Sequence, residues 1–271
     1  MRVSNSTGAS ITMERSAGAR EQREQEFWDR EAEKTSSREV VCSARRLDLW
    51  DKRKLQLYGD LAGKQALDVG CGLGRWSVIL ADHGARVCAF DISPESVALC
   101  RAAADLSGHS DTVAATVMSL HHLSYDDATF DVVHGQDILH HVDVATAGEQ
   151  LRRVMKPGGR AIFRENSSRN RVLMLARDYL CGRFGIPKWS SDDEYPLSPS
   201  EIRRFARSFG GSYTIEYPEF LFFHYFDAKF FGYRVRLISR ICHGLDRAVY
   251  HWLPWLRRYS YHQLIILDKP Q

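Results

Sequence analysis

The chain has 271 residues, 44% of them apolar and 26% charged, with a formal net charge of +3. That length and composition suit a globular protein with one substantial core, and the charge is too small to argue for nucleic acid by itself. No run of eighteen apolar residues marks a spanning helix, and the six cysteines (42, 71, 88, 100, 181 and 242) are scattered without a C-x-x-C pair, which reads as reduced thiols in a cytoplasmic setting.

Residues 1–20 lack an apolar core, so they read as a disordered leader and not as a secretory signal. Residues 21–58 read as an N-terminal helical lid. Its Glu26-Phe27-Trp28-Asp29 segment sets two aromatics in a strongly charged stretch; they either close over a ligand or dock the helix on the core, and Trp28 is a candidate substrate contact. A helix over Leu47–Leu61 then leads into the first strand.

Leu67–Gly74 (LDVGCGLG) is an apolar strand running into three glycines at alternate positions, and a helix follows over Trp76–His83. Bare backbone lets a ligand approach closely beside helix-start N–H groups that lack partners. The dinucleotide pattern G-x-G-x-x-G wants a third glycine where Arg75 stands, so this turn suits a carboxylate or sugar group better than a pyrophosphate. Alone, it could be a mere strand-to-helix turn. A second strand, Ala85–Phe90, ends at Asp91, about 20 residues beyond the loop, where an acid can accept from two ribose hydroxyls. Ser93-Pro94-Glu95 opens a helix to about Asp105 with a cap-type serine and a proline at the first helical position. Strands near Thr112–Met118 and at Phe130–His134 follow. A helix near Ala145–Met155 stops at Lys156-Pro157-Gly158-Gly159, and Arg160–Arg164 forms a fifth strand. Alternating strands and helices with short connections mean a parallel sheet covered on both faces.

LDVGCGLG, Asp91 in AFDISPESV, FDVVHGQDILHHV and LRRVMKPGGRAIF, in this order and spacing, resemble the class I S-adenosylmethionine-dependent methyltransferases, small-molecule branch, over about residues 60–165. The resemblance implies an α/β, Rossmann-like, seven-stranded and mostly parallel sheet with helices on both faces and its last strand antiparallel. It implies S-adenosyl-L-methionine as cofactor: Gly70, Cys71, Gly72 and Gly74 around the methionine part, Asp91 on the ribose and Ile92 on the adenine. Members often carry an aspartate after the third strand; here that position is Ser119, so Ser119 and Leu120 are expected at the adenine through backbone groups. Gln136 is expected at the amino-acid end. It further implies His140 toward a small-molecule acceptor, with His141 supporting the fold. Glu165, at the end of the fifth strand, should open onto the same crevice, so that His140 and Glu165 are candidate substrate contacts and catalytic groups, the alternative being a structural His140 at a helix cap. Two histidine pairs, His121-His122 and His140-His141, do not make a metal site, because neighbours on a helix diverge and no further ligand spacing completes one.

An Asp192–Leu197 segment leads to Ser198-Pro199-Ser200-Glu201, a capping box opening a helix to about Ser208. A sixth strand is expected near Tyr213–Tyr217 and a seventh at His262–Leu267, within a 59–218 core and a 261–271 terminal segment. Between them lies an aromatic-rich helical insertion, 219–260. Residues 213–261 hold 15 of the chain's 30 aromatics, mixed with arginines. This segment is a roof over the acceptor, a peripheral membrane contact, or a homodimer interface or second small core. The function expected is methyl transfer to an oxygen or nitrogen of a small organic acceptor in specialised metabolism. The alternatives are cofactor binding without catalysis and RNA methylation; an Asn/Asp-Pro-Pro-aromatic motif is missing after the fourth strand, where HGQDILHH stands.

Overall fold

A computed structural model of the chain describes residue 18 and residues 21–180 and 195–271. The leader, apart from residue 18, and the acidic Asp192–Glu194 run lie outside the described residues. Seven strands, β1 (Gln65–Val69), β2 (Arg86–Asp91), β3 (Val113–Val117), β4 (Phe130–Gln136), β5 (Met155–Asn166), β6 (Ser212–Glu216) and β7 (His262–Asp268), form one sheet in the order β3-β2-β1-β4-β5-β7-β6. β1–β5 are parallel, and β7 runs antiparallel to both of its neighbours.

Successive strand residues point to opposite faces, which sorts the apolar side chains into two cores. Ala66 of β1 and Ile162 of β5 join Trp50, Tyr58, Ile79 and Val97 on one face. Leu67 and Val69 of β1 and Phe163 of β5 join Leu139, Leu151, Phe205 and Phe209 on the other. The first face is covered by α2 (Ser37–Ala44), α3 (Leu49–Tyr58), α4 (Arg75–Asp82) and α5 (Pro94–Leu106), the second by α6 (Val144–Val154) and α8 (Pro199–Phe209). A further helix, α1 (21–32), precedes them, and α7 (Arg171–Leu180) follows β5.

Local chemistry explains the boundaries. Capping boxes start α2 (Ser36 with Glu39), α3 (Asp48 with Asp51) and α8 (Ser198 with Glu201), each satisfying two backbone donors that a helix start leaves open. Ser93 accepts from Ser96 N and Pro94 opens α5. The Lys156–Gly159 segment ends α6 as expected, but extended backbone resumes at Met155 instead of Arg160. Gly158 N donates to Lys269 O and Lys269 N to Gly159 O, both at 3.0 Å, so the chain's end supplies pairing that the local sequence does not reveal.

The insertion folds as α9 (Phe223–Phe230), α10 (Arg236–Trp252) and a 3-10 turn, Pro254–Tyr259. Phe222 at the start of α9 offers no side-chain cap. Asp246 of α10 does this from outside, accepting from Phe222 N (3.1 Å), Phe223 N (3.0 Å) and His224 N (2.8 Å). The unit is tied to the sheet by Tyr225, whose hydroxyl bonds the His262 ring, and to α3 by Trp50 Nε1 donating to Glu219 at 2.8 Å. No helix among the described residues is long and apolar enough to cross a membrane.

Candidate active site

Register places the site. Val69 of β1 pairs with Phe90 of β2 and with Gly135 of β4, so Gly70, Asp91 and Gln136 leave the sheet at one level. The chain order reverses between β1 and β4, the place where open α/β sheets hold ligands beyond their carboxyl ends. A cavity of about 1040 Å³ lies there, within reach of the upper range for cofactor sites. Gly70, Cys71, Gly72, Asp91 and Ile92 line one part; Ser119, Leu120 and Gln136 line another, and Trp28 of α1 reaches it from outside the sheet.

The glycines do different jobs. Gly70 and Gly72 take φ of 61° and 49°, a backbone that side chains resist. A Cβ on Gly72 would meet no protein atom, so it would stand in the space a ligand needs. Asp91 Oδ2 accepts from Gly72 N at 2.9 Å and Oδ1 from Ser93 N at 3.0 Å, leaving further lone pairs on each oxygen. Burial pushes the Asp91 carboxyl up from its ordinary range. Gly74 departs from the expectation. It is not among the cavity-lining residues, and a Cβ there would lie 2.7 Å from Cys100 Cα, so it lets α5 approach the start of α4. Arg75, in place of the dinucleotide pattern's third glycine, donates to Asp51 (Nη1 at 3.2 Å, Nη2 at 2.5 Å) and to the Ser43 and Arg46 carbonyls, binding α4 to the N-terminal helices.

His140 and Glu165 also depart from the expectation. Neither lines the cavity, and the Glu165 side chain is fully buried. Its Oε1 accepts from Ile138 N (2.8 Å) and Leu139 N (2.7 Å), and its Oε2 lies 2.8 Å from His140 Nδ1. The carboxylate is consumed in holding the turn after β4. Leu139–His141 is a 3-10 turn, not the start of an α-helix, so the two imidazoles do not diverge; their centroids are 4.2 Å apart. His141 is the member that lines the cavity, with Nδ1 3.1 Å from Glu24 Oε2 on α1 and the Trp28 ring edge-on at 6.0 Å. Asp29 Oδ1 accepts from Ser93 Oγ at 2.5 Å, so α1 is fastened to both sides of the cavity. Among the described residues no group of three acids, histidines or cysteines is placed to hold a metal.

No motif announced the charged layer beneath Gln136. Lys54 of α3, fully buried, donates to Gln136 Oε1 at 3.0 Å, sits 3.9 Å over the Trp76 ring and lies 3.5 Å from Asp51. Burial lowers its pKa to about 7. Burial raises Asp68, which accepts from Ser77 Oγ at 2.6 Å, to about 7 as well. Asp137 faces the cavity with φ of 54°; burial pushes it up, but Arg164 more than offsets this and holds it below the ordinary carboxylate range. Burial lowers His262 to about 3 and His134 well below its usual value, keeping both neutral. A lysine in the charged LWDKRKLQLY helix looks like a solvated residue, and only the tertiary position of α3 shows otherwise.

The donor set fits the expected cofactor. Open space faces Gly72, a buried carboxylate stands at the tip of β2, and acids outnumber arginines along the lining, which suits a ligand carrying cationic groups. Comparisons with known proteins agree. A family model described as a methyltransferase domain matches residues 67–163. The ubiquinone biosynthesis O-methyltransferase of Alkalilimnicola ehrlichii is 33% identical over 157 residues, 56% of this chain and 62% of that protein. The protein of the same name from Burkholderia cenocepacia is 33% identical over 168 residues, 57% of this chain and 67% of that protein. The match thus spans less than two thirds of the first relative's length. The structure of geranyl diphosphate C-methyltransferase from Streptomyces coelicolor A3(2), in complex with Mg2+, geranyl diphosphate and S-adenosyl-L-homocysteine, superposes with a TM-score of 0.56 at 16% identity, over 86% of this chain and 83% of that one. The sheet order, the glycine turn with its acid at the tip of β2 and the family match converge, and this chain belongs to the class I S-adenosylmethionine-dependent methyltransferases.

Proposed function

We propose that this protein transfers a methyl group from S-adenosylmethionine to an oxygen of a small organic acceptor. The observation that carries the reading is Asp91, held level with Gly70 and bonded to Gly72 N at the wall of a cavity large enough for cofactor and acceptor together. When bound, the cofactor supplies an electrophilic sulfonium methyl. The remaining Asp91 lone pairs would accept from ribose hydroxyls, Ile92, Ser119 and Leu120 would enclose the adenine, and the Gln136 amide, whose Oε1 accepts from Lys54, would meet the amino-acid end.

His141 is the group on the acceptor side. Glu24 Oε2 lies 3.1 Å from Nδ1, and a proton held on that side would leave Nε2 to take an acceptor's hydroxyl proton. His140 and Glu165 act through it, as positioning residues that hold the turn after β4. Alignment of acceptor and methyl supplies much of the acceleration. The named relatives favour an oxygen acceptor of the kind methylated in ubiquinone biosynthesis, within a wider class of specialised metabolites. A nitrogen acceptor is the second reading, favoured by Glu21, Glu39, Asp143 and Glu201 around the cavity, which would attract an amine. The free thiols suit a reducing, cytoplasmic setting.

The test is a screen of phenols, quinols and amines with labelled cofactor, run beside calorimetry with S-adenosylhomocysteine. Asp91→Ala removes two charge-assisted bonds and is expected to weaken cofactor binding about 100-fold or more; unchanged affinity overturns the assignment. His141→Gln is expected to lower kcat while cofactor affinity holds, and full turnover would remove His141 from the chemistry.

A further inference from the structure

No residue of 219–260 lines the cavity at the carboxyl ends of the strands. The long helix of this insertion divides into three faces. At 3.6 residues per turn, Ile238, Cys242, Asp246 and Val249 fall within about 80° of one another, and this sector turns inward, with Cys242 and Asp246 buried. Leu237, Ile241, Leu245, Ala248 and Trp252 occupy a second sector of about 80°, all exposed, with Leu237 68% and Trp252 80% open to solvent. Trp255, in the 3-10 turn that follows, is also exposed, at 61%. Arg236, Arg240, His243, Arg247 and His251 fill a third, also exposed, on the other side of the apolar stripe. Asp246 is the only acid on α10, and it is spent on the start of α9.

We propose that this face of α10 docks the protein on an anionic lipid surface, with the Leu237–Trp252 stripe and Trp255 entering the headgroup boundary and the arginines meeting phosphates. An exposed apolar stripe alone would suit a second copy of the chain equally well. The bordering basic sector decides against it, because an isologous contact brings the same patch of both subunits together and α10 offers no exposed carboxylate to separate the arginines. Tryptophan beside arginine on one helix matches the interfacial arrangement, in which the ring takes the boundary and the cation the headgroup. The helix is an interfacial element and not a spanning one. The insertion is joined to the sheet where α9 bonds His262, which pairs with Asn166 at the carboxyl end of β5.

The test is co-sedimentation of the full chain with vesicles of phosphatidylcholine, with and without phosphatidylglycerol, at low and high salt. It can be read without cofactor, so its outcome is independent of methyl transfer. Binding to the phosphatidylglycerol vesicles, released by salt, is expected. R240Q and R247Q should each weaken it about fivefold, and the double variant W252S/W255S more, while affinity for S-adenosylhomocysteine stays unchanged. A chain that remains in the supernatant at low salt overturns the proposal, as does equal binding to neutral vesicles. Sedimentation equilibrium supplies a third overturning result: a dimer without lipid that W252S/W255S converts to monomer would assign the face to a second copy.

Discussion

Residues 60–166 and the insertion 219–260 spend their apolar side chains in opposite ways. Between 60 and 166 only two large apolar side chains are exposed, Leu106 and Val117, whereas nine are exposed between 226 and 255. The first region packs a parallel sheet on both faces, and each strand end is then pinned by register to the level where the cavity lies. The second contributes little to that packing and keeps a coherent outward face. An enzyme can thus hold its reacting groups with one set of residues and choose its surroundings with another, and substitutions in the two regions should fail differently.

Gly74→Ala should have the largest effect on stability. Its φ of 88° and the 2.7 Å approach to Cys100 Cα leave no room to relax, and a cost of about 3 kcal/mol or more is expected, read as a fall in Tm and in denaturant midpoint. A small shift would mean that α4 and α5 are not locked together there. Glu165→Ala comes next, leaving the Ile138 and Leu139 amides and the His140 ring without their acceptor, at a cost of about 2–3 kcal/mol. Glu165→Gln retains one acceptor oxygen and should recover part of the loss; if the two variants are equally stable, the turn is held by something else.

Lys54→Met tests the buried layer through pH. In the folded chain Lys54 loses its proton near 7, but in the unfolded chain near 10.5. Between those values the unfolded state binds more protons, so this group makes stability rise with pH. The methionine variant should flatten that rise, gaining most relative to wild type near pH 6; a parallel pair of stability profiles would place the ammonium in contact with water. His262 acts on the acid side with the same slope, because its folded value of about 3 lies below the unfolded 6.5 and stability is lost as pH falls through that interval. The smallest effect is expected at Leu237→Gln on α10, within about 0.5 kcal/mol, because the side chain is already in water. A large loss there would show that the outward face is needed for folding.

Local chemistry made much of this legible in advance. Strand ends marked by Asp91 and Gly70, the Ser93-Pro94 start of α5 and the Ser198–Glu201 capping box all follow from short stretches of sequence. What escaped depends on long-range placement. Whether His140 or His141 enters the cavity turns on a 3-10 geometry that Glu165 imposes from 24 or more residues away. Gly74 belongs to a repeating glycine pattern, yet its neighbour is a thiol on another helix. Lys54 is charged, and nothing local forecasts that Trp76 and Gln136 will enclose it.

The pairing of Glu24 with His141 carries a consequence for timing. It joins a helix outside the sheet to a ring inside the cavity, and Trp28 on the same helix touches that ring. If α1 swings away to admit cofactor or acceptor, the imidazole loses its carboxylate and its cover together. If His141 is the proposed base, sealing the chamber and arming that base would be a single event, and an open chamber, where water could compete for the methyl group, would hold a histidine without the carboxylate beside it.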